Sequence, residues 1–367
     1  MAPKTFSTEE LTSLKTKMKL WARELGFSTI GIADTELSQA ETRLIQWLAD
    51  GRHGDMHYMA KHGDRRTKPA AIQPGTIRVV SVRMDYFPDS AAPPTTILQD
   101  STKGYVSRYA LGRDYHRLIR RRLQKLADLM SEVVGPFSYR AFVDSGPVME
   151  KPLAVKAGLG WLGKHTNLID KDSGSFFFLG ELYTDLPLPL DEEQTDHCGD
   201  CNRCMAACPT GAIDKAYQLD ARLCIAYLTI ELTGEIPEDL RPLIGNRIFG
   251  CDDCQLVCPW TRFSKPSSNQ DFQPRHSLDN AALTDLFSWS ESEFNTRLEG
   301  SPIRRIGYQR WLRNIAVALG NSSRTTEVLV VLERKKAVAS PMVREHIEWA
   351  IARLNEHSAE AVCQVRL

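Results

Sequence analysis

Cys198-Gly199-Asp200-Cys201-Asn202-Arg203-Cys204-Met205-Ala206-Ala207-Cys208-Pro209 carries the spacing C-x2-C-x2-C-x3-C-P, that of the bacterial ferredoxin cysteine run. A second run, Cys251-x2-Cys254-x3-Cys258-Pro259, follows it, and Cys224 lies between the two. Eight of the nine cysteines fall between 198 and 258, a crowding that points to cofactor ligands, enough for two [4Fe–4S] clusters. Each cube needs four thiolates. Two-residue gaps wrap three of them around one cube, and in two-cluster ferredoxins the last cysteine of each run crosses to the other cube. By that rule Cys198, Cys201, Cys204 and Cys258 hold cluster 1. Cys208, Cys224, Cys251 and Cys254 hold cluster 2, with Cys224 replacing the middle cysteine that the second run lacks. Cys363 is left over and reads as structural or incidental. A pair of four-cysteine zinc sites is the alternative reading, but the three-residue gap before Cys-Pro in both runs does not suit it. The radical-SAM spacing C-x3-C-x2-C fails, because Gly211 and Thr261 stand where its third cysteine belongs.

Paired clusters move single electrons, yet the cysteine region is a small part of 367 residues. The remainder is expected to bind an acceptor, so the chain reads as a redox enzyme. Apolar content of 42% and charged content of 25% are those of an ordinary globular protein. Formal net charge is zero, so a polyanionic partner must meet a local basic patch. The first residues, Met1 to Ser7, show no apolar leader and no twin arginine, and no stretch reaches the roughly 18 to 20 apolar residues that span a bilayer. The expectation is a cytoplasmic protein without a membrane, where thiols stay reduced and paired cysteines read as metal ligands.

Three regions are expected: 1–188, 189–265 and 266–367. In the first, Ser7-Thr8-Glu9-Glu10 is a capping box opening a helix through Leu11, Leu14, Met18, Trp21 and Leu25, stopped by Gly26. Strands are predicted over Thr29–Ala33, Ile77–Tyr86, Tyr139–Val143 and Ser175–Tyr183, and helices over Leu37–Asp50 and Asp114–Val134, the latter with Leu118, Leu123, Leu126 and Leu129 inward. Asp89 to Thr96 reads as a loop. No regular βαβ repeat appears, so the fold class is α+β, with a mixed α/β first domain. Leu186-Pro187-Leu188-Pro189 and the acidic stretch Asp191 to Asp196 read as a linker into the cysteines. Beyond Pro266, helices are predicted at Trp311–Gly320 (amphipathic through Leu312, Ile315, Ala316 and Leu319), Glu327–Arg334 and Met342–Leu354. They suggest a HEAT-like helical pair or two.

Other segments carry less specific chemistry. Ser107 to His116 (SRYALGRDYH) reads as a helix entry with Asp114 as N-cap. In Val143-Asp144-Ser145-Gly146-Pro147 the acid sits at a strand end; a solvated turn is the first reading and catalysis the second. Ala157 to Lys164 is glycine-rich without dinucleotide-fold spacing, and reads as close backbone approach or a simple loop. Arg117, Arg120, Arg121, Arg122 and Lys125 read as a solvated helix face. Arg304, Arg305, Arg310 and Arg313, interleaved with Tyr308 and Trp311, suit phosphate contact and base stacking, and equally a packed helix surface.

The chain resembles epoxyqueuosine reductase over essentially its whole length. The resemblance is carried by SRYALGRDYH at 107–116, VDSGP at 143–147, AGLGWLGKH at 157–165, SFFFLGE at 175–181, CIAYLTIE at 224–231, GNRIFGCDDCQLVCPW at 245–260 and the segment Arg304 to Asn321. It implies cobalamin in the N-terminal domain, a dicluster ferredoxin-like module, and a HEAT-like helical domain contacting tRNA. It implies reduction of epoxyqueuosine to queuosine at the tRNA wobble position, the last step of that modification, with electrons passing from the two clusters to cobalamin. Asp144 then becomes the proton donor, protonated by burial in a low-dielectric pocket. The resemblance also places cobalamin contacts at Arg66, Ser107, Asp144, Leu168, Leu179, Ala226, Cys251 and Asp252. Asp114-x-His116 lacks the later glycine of base-off, His-on corrinoid modules, so no protein histidine is expected on cobalt. Reduced flavodoxin or ferredoxin is the expected electron donor, and the protein is expected to be a monomer. The competing readings are a small-molecule corrinoid reductase of the reductive-dehalogenase kind, and an electron-transfer subunit without its own substrate.

Overall fold

The computed structural model describes residues 6–364, with side chains through 356. The opening residues 1–5 and the side chain of Cys363 lie outside the described residues. Four strands, β1 (Thr29–Ala33), β2 (Arg78–Asp85), β3 (Tyr139–Phe142) and β4 (Phe177–Thr184), form one antiparallel sheet in the order β1-β2-β4-β3. All three pairings are antiparallel, with registers such as Ile30↔Val82, Val80↔Leu182 and Ala141↔Leu182. This is a mixed α/β architecture without a βαβ unit.

Alternation along the strands divides the side chains between two faces. Val80, Val82, Phe178 and Leu182 face the helices Thr8–Glu24 and Tyr115–Val134, whose Leu14, Met18, Ile119, Leu123 and Leu126 complete the core. Each such fully buried side chain stabilises the packed state by about 1.5–3 kcal/mol relative to exposure. Gly180 permits the close approach: a Cβ there would lie 2.8 Å from Ile119. The capping box is formed, with Ser7 Oγ accepting from Glu10 N and the Glu10 carboxylate accepting from Ser7 N. In the long helix Met130 takes a fully buried place and Leu129 is only half-buried, because the stripe drifts around a 3.6-residue helix.

The opposite face carries Val79, Ser81, Phe177, Leu179, Glu181 and Tyr183, packed against the helix Glu150–Lys156. Arg83 reaches across this face to Asp170 (3.1 Å), Leu159 O (3.2 Å) and Ser173 Oγ (3.1 Å), tying down the glycine-rich segment. That segment folds as a small hairpin, Trp161–Leu162 against Leu168–Ile169. Its close approach is to its own chain: a Cβ on Gly160 (φ 150°) would fall 2.2 Å from Ile169 O. The expected linker docks rather than hangs free. Leu186 and Leu188 are buried, and Asp191 accepts from Ile32 N and pairs with Lys15.

The cysteine region contains the short helices Arg203–Ala206, Ile225–Ile230 and Asp253–Leu256. A parallel pairing of Tyr105–Val106 with Arg247–Phe249 joins it to the first region. The C-terminal part is helical, built on Gly307–Gly320, with Leu283–Ser288, Thr326–Lys336 and Pro341–Gln364 around it. Its core also takes in Val106, Leu111, Ile230 and Phe249, so this core crosses both expected boundaries. The Trp311 helix is not amphipathic. Every residue from Trp311 to Gly320 is buried. Among the described residues no helix is long and apolar enough to cross a membrane.

Candidate active site

Asp144 follows β3 on a tight loop and has φ 51°, a left-handed conformation that a non-glycine residue adopts only when its surroundings hold it there. Two side chains at the start of the Tyr115 helix do so. Tyr115 donates its hydroxyl to Asp144 Oδ2 at 2.6 Å, and His116 Nε2 lies 3.3 Å from the same oxygen. Asp114, the N-cap, accepts from His116 N at 2.9 Å and lies 2.6 Å from His116 Nδ1. Tyr115 is stacked between Phe178 (3.8 Å between centroids) and His116 (4.3 Å), so both rings are fixed.

This geometry corrects the expected protonation of Asp144. Burial pushes its pKa up, but the bonds from His116 and Tyr115 and the charges of His116 and Arg305 outweigh it, so the pKa is lowered. Burial alone would depress His116, yet its bonds to Asp114 and Asp144 raise it to about 9. At neutral pH the proton therefore resides on the imidazole, and Asp144 is its ionised partner.

Behind Asp144 lies an inner cavity of about 350 Å3, and in front of it an outer one of about 1430 Å3. The two share Tyr86, Tyr109, Tyr115, Asp144, Lys151, Phe177, Phe178 and Ala226, and adjoin across these side chains. Ligand sites commonly occupy about 300–1,000 Å3, so the outer space is ample for a substrate group. Of the eight residues expected to touch cobalamin, Ser107, Asp144, Leu168, Leu179, Ala226, Cys251 and Asp252 all line the inner cavity. Arg66 does not. It is buried beside Tyr58, donating to Tyr58 O at 3.2 Å.

Asp252 is saturated by protein, accepting from Ser107 Oγ (2.5 Å), Tyr105 OH (2.8 Å) and Arg108 N (2.8 Å). It fixes the loop carrying Cys251 and Cys254 and has little left to offer a ligand. His165, also on the inner wall, accepts from Asn167 N through Nδ1. Burial and nearby Lys151 push its pKa down to about 4. It is then neutral with its hydrogen on Nε2, a buried atom without a hydrogen-bond partner among the described residues. That N–H is a donor for a carbonyl, and it has no lone pair for a metal.

The seven cysteines of the two runs and Cys224 form no disulfide among the described residues. Burial raises the Cys258 pKa and the nearby charges of Cys198, Cys204 and Cys201 raise it further, and Cys204 feels Cys198 and Cys201 in the same way. Cys254 is raised by burial and then by Cys224, Asp252, Cys208 and Cys204. Cys208, Cys224, Cys251 and Cys254 all open onto the inner cavity. Cys251 Sγ is turned to Asp253 Oδ2 at 2.7 Å, a carboxylate already paired with Arg247. Two supports carry no signal in the sequence. Lys164 Nζ donates to Gly199 O (2.5 Å) and Cys201 O (3.0 Å), clamping the first cysteine loop. Lys151 and Glu150 stand beside the inner cavity, with burial and Asp144 pushing Glu150 up to about 7.

The outer mouth carries Arg113, Arg117, Arg121, Arg275, Arg304 and Arg305. Part of the helix face expected to be merely solvated thus borders the site. Arg310 and Arg313 do not reach it. Arg313 is fully buried and donates to Leu228 O (2.7 Å) and Leu232 O (2.9 Å), and Arg310 donates to Ile306 O (2.7 Å) and Ile230 O (2.9 Å). Trp311 is buried in the core, so it offers no face to a base.

Residues 197–261 match a family model described as a 4Fe-4S double cluster binding domain, and residues 66–145 match one described as Epoxyqueuosine reductase QueG, DUF1730. An epoxyqueuosine reductase of Pseudomonas aeruginosa is 57% identical over 94% of this chain and 95% of its own length. That of Escherichia coli K12 is 53% identical over 98% and 94%. Among solved structures, an epoxyqueuosine reductase with a tRNA-Tyr epoxyqueuosine-modified stem loop superposes with TM-score 0.86 at 27% identity, covering 94% of this chain and 91% of the other. The enzyme from Streptococcus thermophilus gives 0.84 at 26%, covering 93% and 90%. Matched along almost its whole length, the chain belongs to the epoxyqueuosine reductases.

Proposed function

We propose that this chain reduces epoxyqueuosine to queuosine at the wobble position of tRNA, with a cobalamin in the inner cavity beside the second of two [4Fe–4S] clusters and with Asp144 and His116 supplying the proton. One observation carries the reading. The Asp144 carboxylate and the thiols Cys208, Cys224, Cys251 and Cys254 all line the inner cavity, so proton source and electron source meet in the same space.

Cluster 1 belongs to Cys198, Cys201, Cys204 and Cys258, and cluster 2 to Cys208, Cys224, Cys251 and Cys254. That Cys208, Cys224, Cys251 and Cys254 line one cavity while Cys258 lines a separate groove supports that partition. The inner cavity suits cobalamin: Leu168, Leu179 and Ala226 provide an apolar wall for a flat ring, and the His165 N–H awaits a carbonyl such as a peripheral amide. Ser107 and Asp252 would shape the loop beneath it, and the His165 tautomer would turn an N–H rather than a lone pair toward it. When bound, cobalamin supplies a strongly reducing, nucleophilic metal centre.

Removing an epoxide oxygen to leave an alkene consumes two electrons and two protons and releases water. The carbon–oxygen bonds break as negative charge gathers on oxygen. The first proton to that oxygen falls to the His116–Asp144 pair: the imidazolium passes it to the carboxylate, which is half-exposed in the cavity and hands it on, and solvent reprotonates the pair for the second proton, which completes the water. Tyr115 keeps the carboxylate aimed. Phosphates of the anticodon loop are neutralised by the arginines of the mouth, chiefly Arg117, Arg121 and Arg304, which have no ion-pair partner among the described residues. The C-terminal helices act as a HEAT-like support for that rim. Incubating the reduced, cobalamin-loaded protein with epoxyqueuosine-containing tRNA and analysing nucleosides by mass spectrometry should show epoxyqueuosine replaced by queuosine. Unchanged epoxyqueuosine would overturn the assignment.

A further inference from the structure

Outside the cavities that Asp144 lines, the cysteine region carries an open groove of about 710 Å3. It runs between the short helices Arg203–Ala206 and Asp253–Leu256, which pack on each other. Ala207, Leu256, Val257 and Pro259 make its lining largely apolar. Cys258 is in that lining. Its two charged residues, Arg203 and Arg262, are both basic, both exposed, and without ion-pair partners among the described residues. Their neighbours in the cysteine region behave differently: Arg222 is paired with Asp220 and Arg247 with Asp253. Arg262 is held over the ring of Phe263 at 4.7 Å, and that ring is itself exposed.

We infer that this groove is where a small acidic one-electron carrier protein docks to load cluster 1. The inference rests on the cluster assignment proposed above. Three features converge. The groove touches a ligand of cluster 1, so a docked redox group comes within a side chain's width of the cube. Its charges are of one sign and unsatisfied, which steers an acidic partner and suppresses basic ones. Its floor is apolar and concave, suited to the rim of an exposed prosthetic group. The groove also shares no lining residue with the inner cavity: Cys258 lines the groove and Cys254, four residues earlier, lines the inner cavity. Carrier and tRNA can then be bound together, as two successive one-electron deliveries to one bound substrate require.

The test compares the cluster- and cobalamin-loaded protein with its Arg203→Glu/Arg262→Glu variant and with Arg203→Lys/Arg262→Lys. Binding of oxidised flavodoxin is measured against salt. Reduction of an epoxyqueuosine stem loop is measured with reduced flavodoxin and, separately, with dithionite and methyl viologen. Charge reversal should weaken flavodoxin binding at least about tenfold and flatten its salt dependence. It should raise the KM for flavodoxin to match, without lowering the viologen-driven rate, while the lysine variant stays near wild type. If reversal costs iron, Arg203→Gln/Arg262→Gln carries the same comparison. Flavodoxin affinity and salt slope unchanged in an iron-replete variant would overturn the docking site. A wild-type protein inactive even with viologen would instead count against the proposed function and leave the binding result standing.

Discussion

Replacing His116 by glutamine tests the proton assignment most directly. Glutamine keeps a donor within reach of Asp144 but cannot carry the proton. The imidazole pKa is raised from 6.5 to about 9, mainly by bonds to Asp114 and Asp144 that prevail over burial. At 1.36 kcal/mol per unit this is at most about 3 kcal/mol of preference for the charged form. Asp114 and Asp144 are 39% and 48% exposed, so solvent screening leaves about 1–2 kcal/mol. Because the folded pKa is raised, this contribution to stability is complete below about pH 6.5 and is lost as pH rises through about 9. Turnover should follow the same limb, level at neutral pH and falling above about 9. His116→Gln should lose about 10²-fold or more at pH 7, the usual worth of a positioned general acid. The activity that remains should decline with rising pH in the carboxyl range, since Asp144 must then be protonated itself. The assay is single-turnover conversion of an epoxyqueuosine stem loop across pH, with stem-loop affinity and iron content measured alongside. A variant with wild-type rate and wild-type pH profile would refute the reasoning and return the proton to Asp144 alone.

Asp144→Asn should abolish turnover while both clusters and stem-loop affinity persist; retained turnover would remove Asp144 from the chemistry. Arg117→Ala with Arg304→Ala should weaken tRNA binding and lower the slope of log affinity against log salt by about one for each phosphate left without its arginine, as a salt titration would register. Arg313→Ala, by contrast, should lower stability by about 3 kcal/mol or more through the orphaned carbonyls of Leu228 and Leu232, seen as an earlier thermal transition with no change in the salt slope. Cys258→Ser should impair cluster 1 and Cys224→Ser cluster 2, so iron analysis and electron paramagnetic resonance of each reduced variant should report one intact cluster and a different one each time.

Local signals in the sequence are legible because their causes are local. Ser7 and Glu10 are three residues apart, and the capping box they form needs nothing else. β2 and β4 are legible as nearly continuous buried runs because both faces of the sheet are covered, and every residue from Phe177 to Thr184 is buried. Legibility ends where a polar side chain finds its partner far along the chain. Arg313 and Asn314 look like the wet side of an amphipathic helix. They are buried because Leu228 O, Thr229 O and Ile248 O, from 66 to 85 residues away, accept from them. Asp114 reads as an N-cap and is one, yet its second duty, holding His116 toward Asp144, depends on a loop 28 residues beyond His116. Asp144 read alone is a turn acid in a hydrophobic setting, and burial does protonate an isolated carboxyl. Only the folded juxtaposition supplies the imidazole that reverses it.

Ligand crossing in the dicluster arrangement makes Cys254 and Cys258 neighbours on one short turn while assigning them to different cubes. Cys254 lies in the helix Asp253–Leu256 and Cys258 in the extended turn just beyond it, where the chain leaves helical geometry, and the two line different spaces. Cys258 lines the basic groove and Cys254 the cavity that contains Asp144. The crossing therefore does more than complete two ligand sets. In the proposed assignment it would set the two clusters in series between an outer face and the substrate space, so that an electron arriving at the groove would have its exit in the same segment. A second run with its full four cysteines would keep that crossing and would only make Cys224 unnecessary. Cys224, the N-cap of the helix that also carries Ala226, lines the same cavity as Ala226 and Asp144, so as a ligand it would hold cluster 2 beside the proposed acceptor.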